Sequence, residues 1–124
     1  SGVSESQPAL MTAAQMSKKA VKVGFEWPNE ESLWECFESE INEFKEALHK
    51  GNEDRIEEEF GDILFSLVNV ARWHDINAEL ALSRANKKFK KRFQIMERLA
   101  EKHLSEYSVE ELDKLWQQAK DSLK

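Results

Sequence analysis

Only 4 glycines and 2 prolines stand in a chain of 124 residues. These are the residues that break helices and build tight turns, so a chain this poor in them runs in long uninterrupted helices. A β-sandwich or barrel of this size needs many more turn residues. Collagenous and low-complexity classes fall with the same count. A disulfide-stapled fold falls too, because the one cysteine, Cys36, has no partner within the chain. The length suits one domain with one core. Residues 1–124 therefore read as a single domain, with its core over about 8–103 and a short C-terminal helix over about 109–122.

Apolar residues recur at helical spacing in five stretches. The first runs from Pro8 to Val23, and Gly24 ends it. The second, about 30–49, follows Asn29 as N-cap and carries Trp34, Phe37, Ile41, Phe44 and Leu48. Gly51 closes it, and Asn52 caps the third, about 53–74. The third carries Ile56, Phe60, Ile63, Leu67 and Val70, broadened by Leu64, Val68 and Ala71. After the turn His74-Asp75-Ile76, Asn77 caps a fourth helix, about 78–103, lined by Leu82, Ala85, Phe89, Met96 and Leu99. Ser108 and Glu111 form a capping box that opens the last helix. Short connections make successive helices antiparallel neighbours. The expected fold is all-α: an antiparallel bundle of four main helices plus a short C-terminal helix. The apolar stripes are wide and rich in aromatics, more than one small chain covers, so a homo-oligomer is expected.

The net charge is −6, from 24 acids against 18 bases. Such a surface does not attract nucleic acid. No window approaches the ~18 apolar residues of a membrane span, and no basic segment followed by an apolar one opens the chain. A cytoplasmic protein without nucleic-acid or membrane partners is the expectation. No HxE or CxxC spacing points to zinc.

Two carboxylate pairs stand out from the acidic excess: Glu40 with Glu43, and Glu59 with Asp62. Each is an i, i+3 pair, so its members project from one side of a helix, one turn apart. Glu40 and Glu43 precede Ile41 and Phe44 by one residue; Glu59 and Asp62 precede Phe60 and Ile63 likewise. Both pairs therefore flank the apolar line by about 100° in the same sense. If helices two and three fold back on each other, four carboxylates converge at one edge of the seam. Like charges at that range repel, and oxygen ligands suit hard cations: Mg²⁺ first, then Mn²⁺ or Ca²⁺. That combination supports metal-assisted hydrolysis of a phosphate ester or anhydride. Either pair alone reads first as a solvated helix face; matching phase, with Gly61 beside Asp62, favours a site.

The basic counterpart lies on the fourth helix. Lys88 and Arg92 are i, i+4 on one face, one residue before Phe89 and Phe93, placed to meet anionic oxygens. Lys87, Lys90 and Lys91 differ in phase and read as solvated. Trp27, in the polar connector, is a candidate for stacking on a base; Phe25 reads as a cap on the bundle end. Asn69 and Asn86 are candidates for reading base edges or ribose, or for cross-helix contacts. His74 reads as a helix-end residue and Cys36 as a packed small residue.

At these residues the chain resembles the MazG-like all-α nucleoside triphosphate pyrophosphohydrolases. The matching stretches are Lys22 to Pro28, Glu40-Ile41-Asn42-Glu43, Glu58 to Phe65, Val68 to Arg72, and Ala85 to Phe89 through Arg92-Phe93. They run in family order across most of the chain. Of the signature EExxE followed by ExxD, the second half is intact as Glu59 and Asp62, and Ser39 replaces the leading Glu of the first. The resemblance implies a Mg²⁺-dependent enzyme, with Mn²⁺ a possible substitute, that cleaves a nucleoside triphosphate between its α- and β-phosphates. Glu40, Glu43, Glu59 and Asp62 would be the metal ligands and Lys88 and Arg92 the phosphate contacts. It also implies nucleotide-pool house-cleaning and a homodimer or homotetramer. The competing expectation is a non-catalytic helical interaction module, whose stripes serve assembly alone.

Overall fold

The computed structural model describes residues 6–124. Five helices follow in order: α1 (Ala9–Lys22), α2 (Glu30–Lys50), α3 (Glu53–Trp73), α4 (Ala78–Leu99) and α5 (Val109–Ser122). One 3₁₀ turn, Leu104–Glu106, precedes α5. No strand occurs among the described residues, so the all-α class stands. No described helix is long and apolar enough to cross a membrane.

The helix ends fall where their capping chemistry lies. Asn29, Asn52 and Asn77 each accept a backbone N–H three residues on, at 2.8, 3.1 and 3.0 Å. Ser108 and Glu111 bond each other's backbone N–H groups reciprocally. At the end of α1, Phe25 N–H bonds Ala20 C=O and Gly24 N–H bonds Val21 C=O, with Gly24 at φ +89°. The end of α3 repeats this left-handed closure with Asp75 at φ +56°.

One boundary differs from the sequence pattern. The fourth helix stops at Leu99 rather than near His103. From Glu101 on, side chains claim the backbone. Tyr107 Oη accepts the Glu101 N–H at 2.9 Å and Glu106 accepts the His103 N–H at 3.1 Å. The Lys102 ammonium sits 4.7 Å over the Tyr107 ring. Local bonds of this kind compete with the helical ladder and end it.

The chain forms two compact units, residues 1–81 and 82–124. In the first, α3 packs against both α2 and α1. The α2–α3 pair is antiparallel. Glu30, at the start of α2, lies 3.3 Å from His74, which caps the end of α3. At mid-length the Phe44 and Phe60 rings meet edge-on at 5.3 Å. The buried apolar residues are Leu33, Ala47 and Val68.

The rotation of α3 departs from its apolar line. Phe60 and Leu67 stay 49% and 45% exposed, while Glu59, Ser66, Val68 and Asn69 are buried. The cause is the polar contact with α1, where Ser17, itself buried, takes Asn69 and Arg72 as partners. Satisfying those buried polar groups sets the angle at which α3 sits.

The second unit packs α5 against the later part of α4. Met96, Leu115 and Ala119 are buried, with Ile95, Leu104, Tyr107, Leu112 and Trp116 around them. Phe89 stacks toward Trp116 at 5.2 Å yet stays 58% exposed.

Candidate metal centre

The antiparallel α2–α3 pairing brings the two acidic segments level. One carboxylate oxygen from each of Glu40, Glu43 and Glu59 lies within 4.8 Å of the others. Asp62 is exposed and outside that group, but its charge acts on both Glu40 and Glu59. Gly61, beside it, has open space where a Cβ would stand.

Two of the three, Glu40 and Glu59, are anions held close to other anions. Burial first, then the charges of Glu43 and Asp62, push the Glu40 carboxyl above the usual range. Burial and Glu43 push Glu59 up likewise, against the partial relief of Arg55 at 3.6 Å. Glu40 Oε2 and Glu59 Oε2 are buried with no hydrogen-bond partner. An unpartnered buried carboxylate oxygen is costly, and a cation supplies what it lacks. The donor set is all oxygen and all anionic, which fits a hard divalent cation such as Mg²⁺ or Mn²⁺.

One turn before Glu40 on α2 sits Cys36, half-buried. Burial and the Glu40 charge push its thiol up, against a hydrogen bond with the Trp27 side chain that draws it down. Trp27 lies in the connector that leads into α2, the helix that carries Glu40 and Glu43. Its own backbone is pinned: Glu26 Oε1 accepts the Trp27 N–H at 3.0 Å. The same carboxylate takes both prongs of the Arg72 guanidinium, at 2.7 and 2.8 Å. Arg72 Nε donates to Ser17 Oγ, and Ser17 Oγ donates to Asn69 Oδ1, each at 2.6 Å. Asn69 is therefore placed in this frame behind the connector. Phe25, by contrast, is 80% exposed and caps nothing, because the closure of α1 turns its ring outward.

In the second unit, Lys88 and Arg92 face a cleft between α4 and α5 of about 390 Å³. Arg92 is half-buried, 5.6 Å from the Trp116 ring centre, and its Nε is buried without a partner. Lys87 and Lys91, which read as solvated, also line the cleft, as do Lys120 and Lys124 of α5. Asn86 is exposed on α4.

Two groups of residues escaped the sequence reading. The frame of Ser17, Glu26 and Arg72 links segments far apart in the chain, and no spacing announces it. Lys120 and Lys124 did carry a signal, the i, i+4, i+8 row that they form with Trp116.

Comparison with known proteins follows the same segments. Residues 28–96 match the family described as "MazG nucleotide pyrophosphohydrolase domain". The chain is 43% identical over 116 residues to a Thermotoga maritima protein named nucleoside triphosphate pyrophosphohydrolase/pyrophosphatase MazG, covering 91% of this chain and 44% of that protein. It is 34% identical over 125 residues to the Escherichia coli K12 nucleoside triphosphate pyrophosphohydrolase, covering 95% of this chain and 47% of that protein. The chain thus spans less than half the length of the curated relatives it matches. With more than half its residues inside the matched segment and its two acidic pairs within it, the chain belongs to the MazG nucleotide pyrophosphohydrolase domain family.

Proposed function

We propose that residues 1–124 act as one MazG-type domain that hydrolyses nucleoside triphosphates between the α- and β-phosphates, releasing the monophosphate and pyrophosphate. The observation that carries the reading is the convergence of Glu40, Glu43 and Glu59 within 4.8 Å, with two buried oxygens unpartnered. Glu40, Glu43, Glu59 and Asp62 would hold Mg²⁺. Bound there, the ion would neutralise phosphate oxygens and make phosphorus easier to attack.

The chain's own residues supply the rest. Lys88 and Arg92 meet the phosphate oxygens, one as a point charge and the other as a planar two-pronged donor. They offset the negative charge that grows as the leaving pyrophosphate departs. Glu40 or Glu43 orients the attacking water and accepts its proton. Trp27 stacks on the base and Asn86 meets its edge or the ribose, with Asn69 in the frame behind. A second copy of the chain, as homodimer or homotetramer, covers the apolar row that includes Phe60, Leu64 and Leu67, which are 49%, 44% and 45% exposed. The substrate class fits nucleotide-pool house-cleaning in the cytoplasm.

The test is product-resolved. The chain is incubated with each ribo- and deoxyribonucleoside triphosphate and Mg²⁺, and the products are separated. Monophosphate with pyrophosphate is expected. Diphosphate with orthophosphate overturns the bond assignment. No turnover together with no Mg²⁺-dependent thermal shift overturns the enzyme and leaves a helical interaction module.

A further inference from the structure

The connector between α1 and α2 holds a cavity of about 250 Å³ lined by Phe25, Glu26, Trp27 and Pro28. Its walls are two aromatic rings and a proline, with one carboxylate among them. We propose that this cavity is the seat of the substrate's nucleobase, that Phe25 is its second aromatic wall, and that Arg72 is the positioning residue that keeps the seat in place. The proposal deepens, and rests on, the reading of the chain as a nucleoside triphosphate hydrolase.

Three observations carry it. First, Phe25 is 80% exposed while the turn beneath it is well tied. Its backbone N–H bonds Ala20 C=O, so the ring is held outward by the closure of a helix. A large apolar ring fixed in that position contributes little to the fold of this chain, whereas a planar heterocycle gains by stacking on it.

Second, the connector is rigid where a loop usually is not. Glu26 accepts three hydrogen bonds: one from the Trp27 backbone and two from Arg72. Arg72 is fixed in turn by Ser17, and Ser17 by Asn69. This chain of bonds runs from α3 through α1 to the connector. A guanidinium matches the carboxylate in one plane, and an ammonium does not, so the fork sets an orientation as well as a distance. Pre-organisation of this kind lowers the ordering cost of binding.

Third, the seat has a defined place relative to the carboxylates. Trp27 and Pro28 lead directly into α2, the helix that carries Glu40 and Glu43. A base held at residues 25–28 is therefore anchored at the start of the helix that carries Glu40 and Glu43. The cavity's walls are aromatic and the neighbouring cluster is anionic, so a base is its occupant and a bare phosphate is not.

The experiment uses the full chain with Mg²⁺ and measures two constants in one assay: KM for the preferred nucleoside triphosphate and Ki for inorganic tripolyphosphate, which has no base. Phe25→Ala removes an exposed ring and keeps the fold, and it raises KM by on the order of tenfold. Tripolyphosphate Ki and kcat stay within about twofold. Arg72→Lys gives the same split, and Glu26→Gln, which removes one of the two acceptor oxygens of the fork, gives part of it where Arg72→Lys proves unstable.

Equal losses for both ligands mean a general structural role and overturn the proposal. An unchanged KM in Phe25→Ala overturns it too. So does loss of the oligomer by light scattering with KM unchanged, because the ring is then an assembly contact. If the wild-type chain hydrolyses no triphosphate, the hydrolase reading fails. The seat is then judged alone, by calorimetric binding of nucleoside monophosphates to wild type and Phe25→Ala, where equal affinity or no binding overturns it.

Discussion

The two compact units differ in what they bury and in the sign of their charge. Residues 1–81 hold 17 acids and 7 bases; residues 82–124 hold 11 bases and 7 acids. Among the described residues, the buried polar ones, Ser17, Glu59, Ser66 and Asn69, all belong to the first unit. The buried residues of the second are apolar: Met96, Leu115 and Ala119. Burying a polar group is costly unless something satisfies it, and in the first unit Ser17 and Asn69 satisfy each other while Glu40 and Glu59 each keep an oxygen unpartnered. The unpartnered buried atoms of the acidic unit are thus carboxylate oxygens that call for a cation, whereas that of the basic unit, Arg92 Nε, is a donor that calls for an anion.

The largest expected effect strikes that contrast directly. Glu59→Gln is predicted to lower kcat by on the order of a thousandfold, about 4 kcal/mol of transition-state stabilisation. It also removes the Mg²⁺-dependent thermal shift. In metal-free buffer its midpoint is predicted to match or exceed that of the wild type, because a neutral amide relieves the repulsion from Glu43. Steady-state kinetics and thermal scanning check both. A turnover equal to wild type, or a metal-free midpoint well below it, breaks the picture of an anion held under strain.

Next in size is the packing of the first unit. Leu33 is 1% exposed, and Leu33→Ala is predicted to destabilise by about 2–4 kcal/mol in denaturant titration. Leu67 lies on the apolar line that the sequence assigns to the core, yet it is 45% exposed. Leu67→Ser is predicted to change the stability of the dilute chain by less than about 0.5 kcal/mol. Equal losses at the two positions would mean that α3 is rotated differently from the structure described.

The cations of the second unit come third. Arg92→Lys keeps the charge but not the planar fork over Trp116. It is predicted to raise KM about tenfold, or roughly 1.4 kcal/mol, with the fold intact by circular dichroism. An unchanged KM would detach the basic cleft from the chemistry of the acidic unit.

These differences mark what the sequence could reveal. The caps at Asn29, Asn52, Asn77 and Ser108 are local chemistry, readable from two or three residues, and all hold. The approach of Glu40, Glu43 and Glu59 was legible because two helices joined by Gly51-Asn52 run antiparallel and bring their acidic segments level, whereas Asp62, expected with them, lies outside that group. The rotation of α3 was not, since hydrophobicity alone gives no weight to Ser17, 52 residues from Asn69. The outward Phe25 was misread as a cap because its direction depends on the closure between Ala20 and Gly24. The frame of Glu26 and Arg72 was hidden for a related reason: 46 residues separate two ordinary charged side chains that only the fold brings together.

The smallest expected effect sets the two units against each other through protons. In the first unit, Glu40 has its carboxyl raised by burial and by Glu43. A raised carboxyl binds protons more readily in the folded chain than in the unfolded one. Its contribution therefore falls as pH rises through the folded value. In the second unit, Glu111 is lowered because its carboxylate accepts the Ser108 N–H. Its contribution is present above the ordinary carboxylate range and is lost as pH falls through the folded value. In buffer with a chelator, Glu40→Gln is thus predicted to raise the melting midpoint relative to wild type at pH 7 and to lose that advantage near pH 4. Glu111→Gln is predicted to lower the midpoint at pH 7 and to approach wild type only as pH falls below the ordinary carboxylate range. Thermal scans of the three proteins from pH 7 to below that range measure both slopes. Mg²⁺ shrinks the Glu40→Gln advantage, since the cation competes with the proton for those oxygens, and leaves the Glu111→Gln slope alone. Two slopes of the same sign would mean that the carboxylates of α2 are as well satisfied as an exposed helix cap, and the strain assigned to the acidic unit would be gone.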